Sequence, residues 1–467
     1  MLSRARTAYR GRSLAGWRAP RLGRQIAWVI APFGTTQVMR LATNVVLTRL
    51  LAPEVFGVML LIHSLRTGTE LLSDIGIGQS VVRSPHGEDR RFLDVAWTLQ
   101  ALRGALLSAV ALIAALPVAQ IYGKPELASY IAGISPIFLL TGLQSPGLFL
   151  AQRRVALGRR AAYDIVNTAA NSLFAIALAL VIPSVWALII GLVLGTLCST
   201  VLTYTVFDSP RPRLAWDDQH AREIIAFGKW IFLSTAIYFS AISFDRFYFA
   251  GVLPLALAGI YGVARTFSDM LGALAQRAGA FLVFPRVAAM QDRLDEAVHR
   301  VRAMRRRVLL LVAIVTGFAV AGSDAFILLA YDARYHAAAF MIPILMVSVW
   351  FGILSSFADS MLMGCGRPAP GALANGAKFV TQLIALPLAI ASGNLLAALL
   401  ALVLGEIVRW LALVPASLRQ GFAKPLDDFA LTAAMAIAAL GTKVALGALG
   451  LVPTIGQWWQ MHGLLHG

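Results

Sequence analysis

The sequence predicts an all-α polytopic membrane protein: two six-helix bundles related by a pseudo-two-fold axis along the membrane normal, plus one or two extra C-terminal helices, 12–14 transmembrane helices in all. Three observations lead there. Only 13% of the residues are charged, against about 25% in a typical soluble chain, while 58% are hydrophobic and the mean hydropathy is +0.74. Mostly apolar runs of about 20 residues, the length that crosses a ~30 Å hydrocarbon core, recur along the chain. The halves also repeat: "LAPEVFGVML" (51–60) aligns with "LPLALAGIYG" (253–262), setting Gly57 opposite Gly259. A second match pairs "LQSPGLFLAQRR" (143–154) with "FADSMLMGCGRP" (357–368) and aligns Arg153 with Arg367. Halves repeated in the same orientation place the axis along the membrane normal. A β-barrel is disfavoured, because its strands would alternate over ~10 residues.

Apolar length and loop charge place spans near 24–50, 54–82, 92–121, 127–151, 160–182, 185–207, 224–252, 255–284, 308–331, 336–363, 370–391, 395–416 and 428–452. The Arg-rich segments 83–91, 152–160, 208–222, 285–307, 366–368 and 419–428 then share one side with the N-tail. The opposite connections are short and charge-poor, with Lys124 and Arg334 the basic residues well inside them. The Arg-rich side is expected to be cytoplasmic. The organisation read from this is a basic cytoplasmic N-tail (1–23), a first bundle (24–208), a cytoplasmic linker (209–223), a second bundle (224–418) and an extra helix or helices (419–467). The N-tail is Arg-rich but is followed by no short apolar stretch with a small-residue cleavage site, so it reads as a retained anchor rather than a signal peptide. The segment 285–307 has room for one amphipathic surface helix.

The net charge of +17 does not point to nucleic acid, because its Arg residues fall in alternate loops. Cys198 and Cys365 lie in or at the ends of apolar segments and imply no disulfide framework, and no Cys/His cluster has metal-ligand spacing. There is no phosphate-binding loop: "GALANGAK" (371–378) has Ala377 between its glycine and lysine and lies in a span. No hydrolase or metalloprotease motif is present. The chain is expected not to be an enzyme and to need no cofactor or metal; transport would run downhill or on an ion gradient.

The spans themselves carry polar stripes. Gln37, Arg40, Asn44 and Thr48 follow +3, +4, +4 spacing, one helical face, as do His63, Arg66, Glu70 and Asp74. Tyr163, Asn167 and Asn171 mark the fifth span, Asp245 and Arg246 the seventh, Arg265, Asp269, Gln276 and Arg277 the eighth, Asp359 the tenth, and Asn375, Lys378 and Gln382 the eleventh. Such groups are costly in lipid and should face one another or water. Stripes from both halves predict one shared aqueous cavity between the bundles. Adjacent residues point about 100° apart, so Asp245 and Arg246 need partners on other helices. Arg66 and Glu70, four apart, could pair; His63 reads as a helix-packing hydrogen bonder; Lys229, Arg277 and Lys443 read as snorkelling side chains. Candidate cavity or substrate residues are Arg40, Asn44, Arg66, Asp245, Arg246, Arg265 and Lys378. Candidate ion-coupling residues are Glu70, Asp74, Asp269 and Asp359. Several guanidiniums around water suit an anion, phosphate above all, through bidentate hydrogen bonds.

"LTRLLAPEVFGVMLLIHSL" (47–65), "DIGIGQSVVR" (74–83) and "FDRFYFAGVLPLALAGIYGVAR" (244–265) resemble bacterial polysaccharide-biosynthesis flippases of the multidrug/oligosaccharidyl-lipid/polysaccharide exporter superfamily. In that family an Asp-Arg pair precedes a Gly-Ile-Tyr turn at the seventh-to-eighth helix junction. The resemblance covers about residues 25–420; the thirteenth span departs from a twelve-helix core. It implies a flippase that moves polyprenyl-pyrophosphate-linked oligosaccharides from the cytoplasmic to the periplasmic leaflet of a bacterial inner membrane, for O-antigen, capsule or exopolysaccharide assembly. Membrane lipids, a polysaccharide polymerase and chain-length machinery are the partners it implies. An ion-coupled multidrug exporter and a lipid II flippase share the superfamily. A membrane polysaccharide polymerase or ligase is the rival from another class, against which the short outer loops count.

Overall fold

Among the described residues thirteen long helical segments follow apolar stretches of the sequence, most of them ended by a Gly, Pro, Asn or Asp turn. The computed structural model describes residues 19–154, 156–278, 294–365, 367, 369–421 and 425–450. The helices are α1 (Ala19–Leu50), α2 (Pro53–Leu71), α3 (Ile77–Arg83), α4 (Arg90–Ile121), α5 (Glu126–Gly142), α6 (Gly147–Arg153), α7 (Leu157–Val181), α8 (Val185–Val206), α9 (Asp218–Val252), α10 (Leu255–Ala278), α11 (Leu294–Ala330), α12 (Ala338–Gly364), α13 (Ala369–Ala391), α14 (Leu395–Arg419) and α15 (Pro425–Ala448), with a 3-10 turn at Ala333–Tyr335. No strand occurs among the described residues.

Eight of these helices are long and apolar enough to cross a membrane, nine when α5 and α6, bent by 55°, are taken as one span. The long helices outside that set, which rests on the described residues alone, are α1, α2, α9 and α10. Two expected spans are broken. The stretch 54–82 divides at Gly76, which has φ 66°, a value that favours glycine. Asp74 accepts the Gly76 N–H there (2.9 Å), so Asp74 shapes a turn instead of lining a cavity. The stretch 127–151 bends at Ser145-Pro146, where proline cannot continue the ladder. Of the stretch 285–307, residues 294–307 belong to α11 and continue into a span; the rest of the expected surface helix lies outside the described residues.

The first half, α1–α8, packs as α1 on α7, α4 on α5, α7 on α8 and α5 on α8. The second, α9–α14, repeats the scheme with α9 on α13, α11 on α12, α13 on α14 and α12 on α14. The halves meet through α2 against α9 and α10. There the aligned glycines prove to be partners. A Cβ on Gly57 would fall 2.1 Å from the Leu255 carbonyl oxygen, and one on Gly259 would fall 1.9 Å from that of Pro53. Pro53 aligns with Leu255 and Gly57 with Gly259, so the contact is self-complementary, as a two-fold requires. Arg153 ends α6 and donates to the carbonyls of Val81, Val82 and Ser84 (2.9, 3.0 and 2.6 Å), closing the end of α3; Arg367 follows α12 at the matching place.

The linker after α8 runs across α4, where the buried Asp94 side chain accepts from Arg213 N–H (3.0 Å) and Thr98 from Ala215 N–H (3.0 Å). The additional helix α15 is fastened to α11 at three levels. Arg305 pairs with Asp428 (2.7 Å), a Cβ on Gly317 would lie 2.6 Å from the Met435 carbonyl, and Lys443 pairs with the buried Asp324. Lys443 thus holds a helix in place, which overturns its reading as a snorkelling residue. Side chains of Lys229 and Arg277 lie outside the described ones.

Candidate functional site

Between the halves lies a cavity of about 1070 Å³. It is lined by α1, α2 and α5–α8 from the first half and by α9 and α10 from the second. It runs from Leu47 and Phe56 to Pro32, Leu148 and Arg160. The end near Leu47 is the end of the turns 51–52 and 253–254. That end is shut. Besides the Gly57–Gly259 contact, Tyr335 Oη donates to the Leu51 carbonyl (2.9 Å), Arg49 to the Ala330 carbonyl (3.1 Å) and Tyr331 Oη to Asn44 Oδ1 (2.8 Å).

Of the sequence-predicted residues, Arg40, Asn44, Arg66, Arg246, Arg265, Glu70 and Asp269 line this cavity. Arg66 Nε donates to Glu70 (2.9 Å), the expected i,i+4 pair. The adjacent Asp245 and Arg246 both find partners on α10. Tyr261, Arg265 and Asp269 follow +4 spacing on one face of that helix. Tyr261 Oη donates to Asp245, Arg265 Nε lies 3.5 Å from Asp245 and 3.3 Å from Asp269, and Asp269 pairs with Arg246. Asp245 itself is 2% exposed and does not touch the cavity. It anchors Arg265 from behind.

Arg40 differs from the other four cavity arginines. Arg66, Arg246 and Arg265 are ion-paired as above, and Arg160 pairs with Asp164 (3.2 Å). Arg40 is exposed to the cavity and makes no ion pair among the described residues. A guanidinium without a partner is the group most ready to take an incoming anion.

Lys378 is a correction as a cavity residue: it sits inside the second half, away from the cavity, and Asp359 lies in that half as well. Lys378, 3% exposed, donates to Glu406 (2.5 Å), with Arg409 3.5 Å from the same carboxylate. Asp359 rests against Gly371 in the first turn of α13, where a Cβ would fall 1.9 Å from its Oδ1. Stripes on α12 and α13 therefore do not join the shared cavity. A helical period identifies a polar face but not whether that face meets water or another helix. His63 lines the cavity and forms no hydrogen bond among the described residues, so it is not the packing group expected.

Sequence reading missed Arg160, Asp164 and Gln144 in the cavity and Glu406 and Arg409 beside Lys378. Arg160 and Asp164 carried an i,i+4 signal at the very start of a span. Glu406 and Arg409 are two charges inside the apolar "LVLGEIVRWLAL", the same signal that drew attention to Asp245-Arg246. At the linker end, outside the spans, the hydrogen bond from Arg154 holds the Glu88 carboxyl below the usual carboxylate range.

The chain matches the family described as polysaccharide biosynthesis protein over residues 46–340, more than half its length. It belongs to that family. A curated relative is the succinoglycan biosynthesis transport protein ExoT of Rhizobium meliloti (strain 1021), 25% identical over 271 residues, 57% of this chain. The match spans about half of that relative, 54% of its length. Among solved structures, the lipid II flippase MurJ in an inward closed conformation superposes with a TM-score of 0.72 at 11% identity, covering 94% of this chain and 96% of that one. An inward-facing multidrug-resistance MATE transporter of the MOP superfamily gives 0.62 at 12% identity, covering 90% and 96%. The eukaryotic MATE transporter AtDTX14 gives 0.59 at 14%, covering 90% and 99%. The two-lobed MOP fold expected from the sequence is the fold observed. The protein is a multi-pass membrane protein of a polysaccharide-biosynthesis family.

Proposed function

We propose that this protein flips polyprenyl-pyrophosphate-linked oligosaccharides from the cytoplasmic to the periplasmic leaflet of a bacterial inner membrane, with its N-terminus in the cytoplasm. Arg40 carries this reading: a guanidinium exposed to the cavity with no ion pair among the described residues, accompanied by four further arginines. A diphosphate has the charge and the oxygen geometry that guanidiniums bind bidentately. The glycan needs a hydrated space, and a cavity of about 1070 Å³ supplies it. The lipid tail can stay in the bilayer.

The outer seal and the paired arginines suggest a sequence of events. Head group enters from the cytoplasmic side and meets Arg40. Its negative charge then competes with Glu70 and Asp269 for Arg66, Arg246 and Arg265. Loosening those links, which join α9 to α10 and bind α2 internally, lets the halves rock about the Gly57–Gly259 contact. The cargo serves O-antigen, capsule or exopolysaccharide assembly, and a polymerase with its chain-length machinery would receive it. Glu70 and Asp269 are the coupling candidates that remain in the cavity.

Deletion of the gene, with polyprenyl-linked oligosaccharide measured beside surface polysaccharide, tests the proposal. Complete linked units should accumulate in the cytoplasmic leaflet while surface polymer disappears. Linked units that reach the periplasm unpolymerised would indicate a polymerase or ligase. Unchanged pools with altered drug sensitivity would indicate a drug exporter, and a lethal deletion with arrested cell-wall synthesis a lipid II flippase.

A further inference from the structure

The cavity has two chemically different sides. One is ionic: Arg40, Arg66, Glu70, Arg246, Arg265 and Asp269, from α1, α2, α9 and α10. The other is neutral and hydrogen-bonding: Gln144, Asn167, Asn171, Ser172, Thr196 and Ser199, chiefly from α7 and α8. The ionic pair on that second side, Arg160–Asp164, lies at the linker end and neutralises itself.

The neutral side is built around Asn167. Asn171 Nδ2 donates both to the Asn167 carbonyl (2.8 Å) and to Asn167 Oδ1 (2.9 Å). Asn171 is in turn seated against Gly195 of α8, where an added Cβ would lie 2.1 Å from Asn171 Oδ1. Fixing Oδ1 of Asn167 fixes the direction of its Nδ2, and that group has no hydrogen-bond partner among the described residues. Around it, Thr196 and Thr168 donate to their own helix carbonyls (2.8 Å each) and keep lone pairs free. Thr43 likewise donates to Ser172 (2.7 Å) across α1 and α7. The result is a wall of oriented donors and acceptors without net charge.

We infer that this wall reads the glycan, that Asn167 is the residue donating to a sugar hydroxyl, and that Asn171 and Gly195 position it. The inference rests on the flippase reading. Sugar hydroxyls donate and accept, as amides and hydroxyls do, so the wall suits a neutral, hydroxyl-rich sugar, while the ionic side holds the diphosphate. A site built to hydrogen-bond a hydroxyl discriminates strongly against a ligand lacking it.

The test measures binding of the purified full chain, in nanodiscs, to two probes: bare polyprenyl diphosphate and the same lipid carrying a neutral oligosaccharide. Wild type should bind the glycosylated probe about tenfold more tightly. Asn167→Ala should erase that preference while leaving affinity for the bare lipid unchanged, and Asn167→Gln should restore part of it. Gly195→Ala, which crowds Asn171, should weaken the preference in the same direction. Arg40→Ala should weaken both probes alike. An Asn167→Ala protein that keeps the preference, or that loses both probes equally, overturns the assignment. Wild type that binds neither probe overturns the flippase reading itself.

Discussion

The two halves present corresponding polar helix faces and use them in opposite ways. In the first half α7 carries Asp164, Asn167 and Asn171, with Thr196 and Ser199 on the neighbouring α8. In the second, α13 carries Asn375, Lys378 and Gln382 at the same +3, +4 spacing, with Glu406 and Arg409 on the neighbouring α14. The first face opens on the cavity. The second is closed over itself: Asn375, Lys378, Gln382, Glu406 and Arg409 are all buried. The replacement of amides and hydroxyls by Lys, Glu and Arg marks the change. Charges buried together must pair, whereas amides and hydroxyls can face water at little cost. One duplicated scaffold thus yields a binding side and a rigid side.

Breaking the rigid side should have the largest effect on stability. Lys378→Ala leaves Glu406 buried with a more distant Arg409 as its remaining partner, and loss of one member of a buried pair costs about 3–5 kcal/mol. Thermal unfolding in detergent should show a clear drop in Tm. Converting the whole face to the first half's residues, Lys378→Asn with Glu406→Thr and Arg409→Ser, should be less harmful than Lys378→Asn alone, because no buried charge is orphaned. If the triple variant is the less stable one, the face is not a closed ionic unit.

Next comes the contact on which the halves meet. Gly259→Val sets side-chain atoms against the Pro53 carbonyl, where the first Cβ alone would be 1.9 Å away. Overpacking of this kind costs about 1–3 kcal/mol. Cysteine accessibility should report an outer end that no longer closes. Labelling identical to wild type would remove the glycines from the account of closure.

The smallest stability effects belong to the binding side. Arg40→Ala and Asn167→Ala should each shift stability by no more than about 1 kcal/mol, because Arg40 is exposed and Asn167 gives up a single part-buried hydrogen bond from Asn171. Both should nevertheless impair export of surface polysaccharide at unchanged protein levels. A large stability loss in either would mean that the first half's face is structural too.

The sequence made the layout legible because apolar length, loop charge and the "APEVFG"/"PLALAG" repeat are local patterns. Its limits were physical. Gly76 and Pro146 break spans by backbone geometry that hydropathy does not register. The stripes named the polar side chains but not what stands opposite them. Asp245 turned out to support Arg265, Lys378 to be consumed by Glu406, and Lys443 to fasten α15. Arg40 was identified with its neighbours, yet its lack of an ion partner among the described residues depends on where Glu70, Asp164 and Asp269 lie in three dimensions.

Reconstitution in liposomes tests the central claim most directly. Transbilayer movement of a polyprenyl-pyrophosphate-linked oligosaccharide is followed by its accessibility to a membrane-impermeant glycan-cleaving enzyme. Wild-type protein should expose inner-leaflet lipid at a rate well above protein-free liposomes, and Arg40→Ala should reduce that rate at least about tenfold. Movement by wild type no faster than in empty liposomes, or equal rates for wild type and Arg40→Ala, would contradict the account.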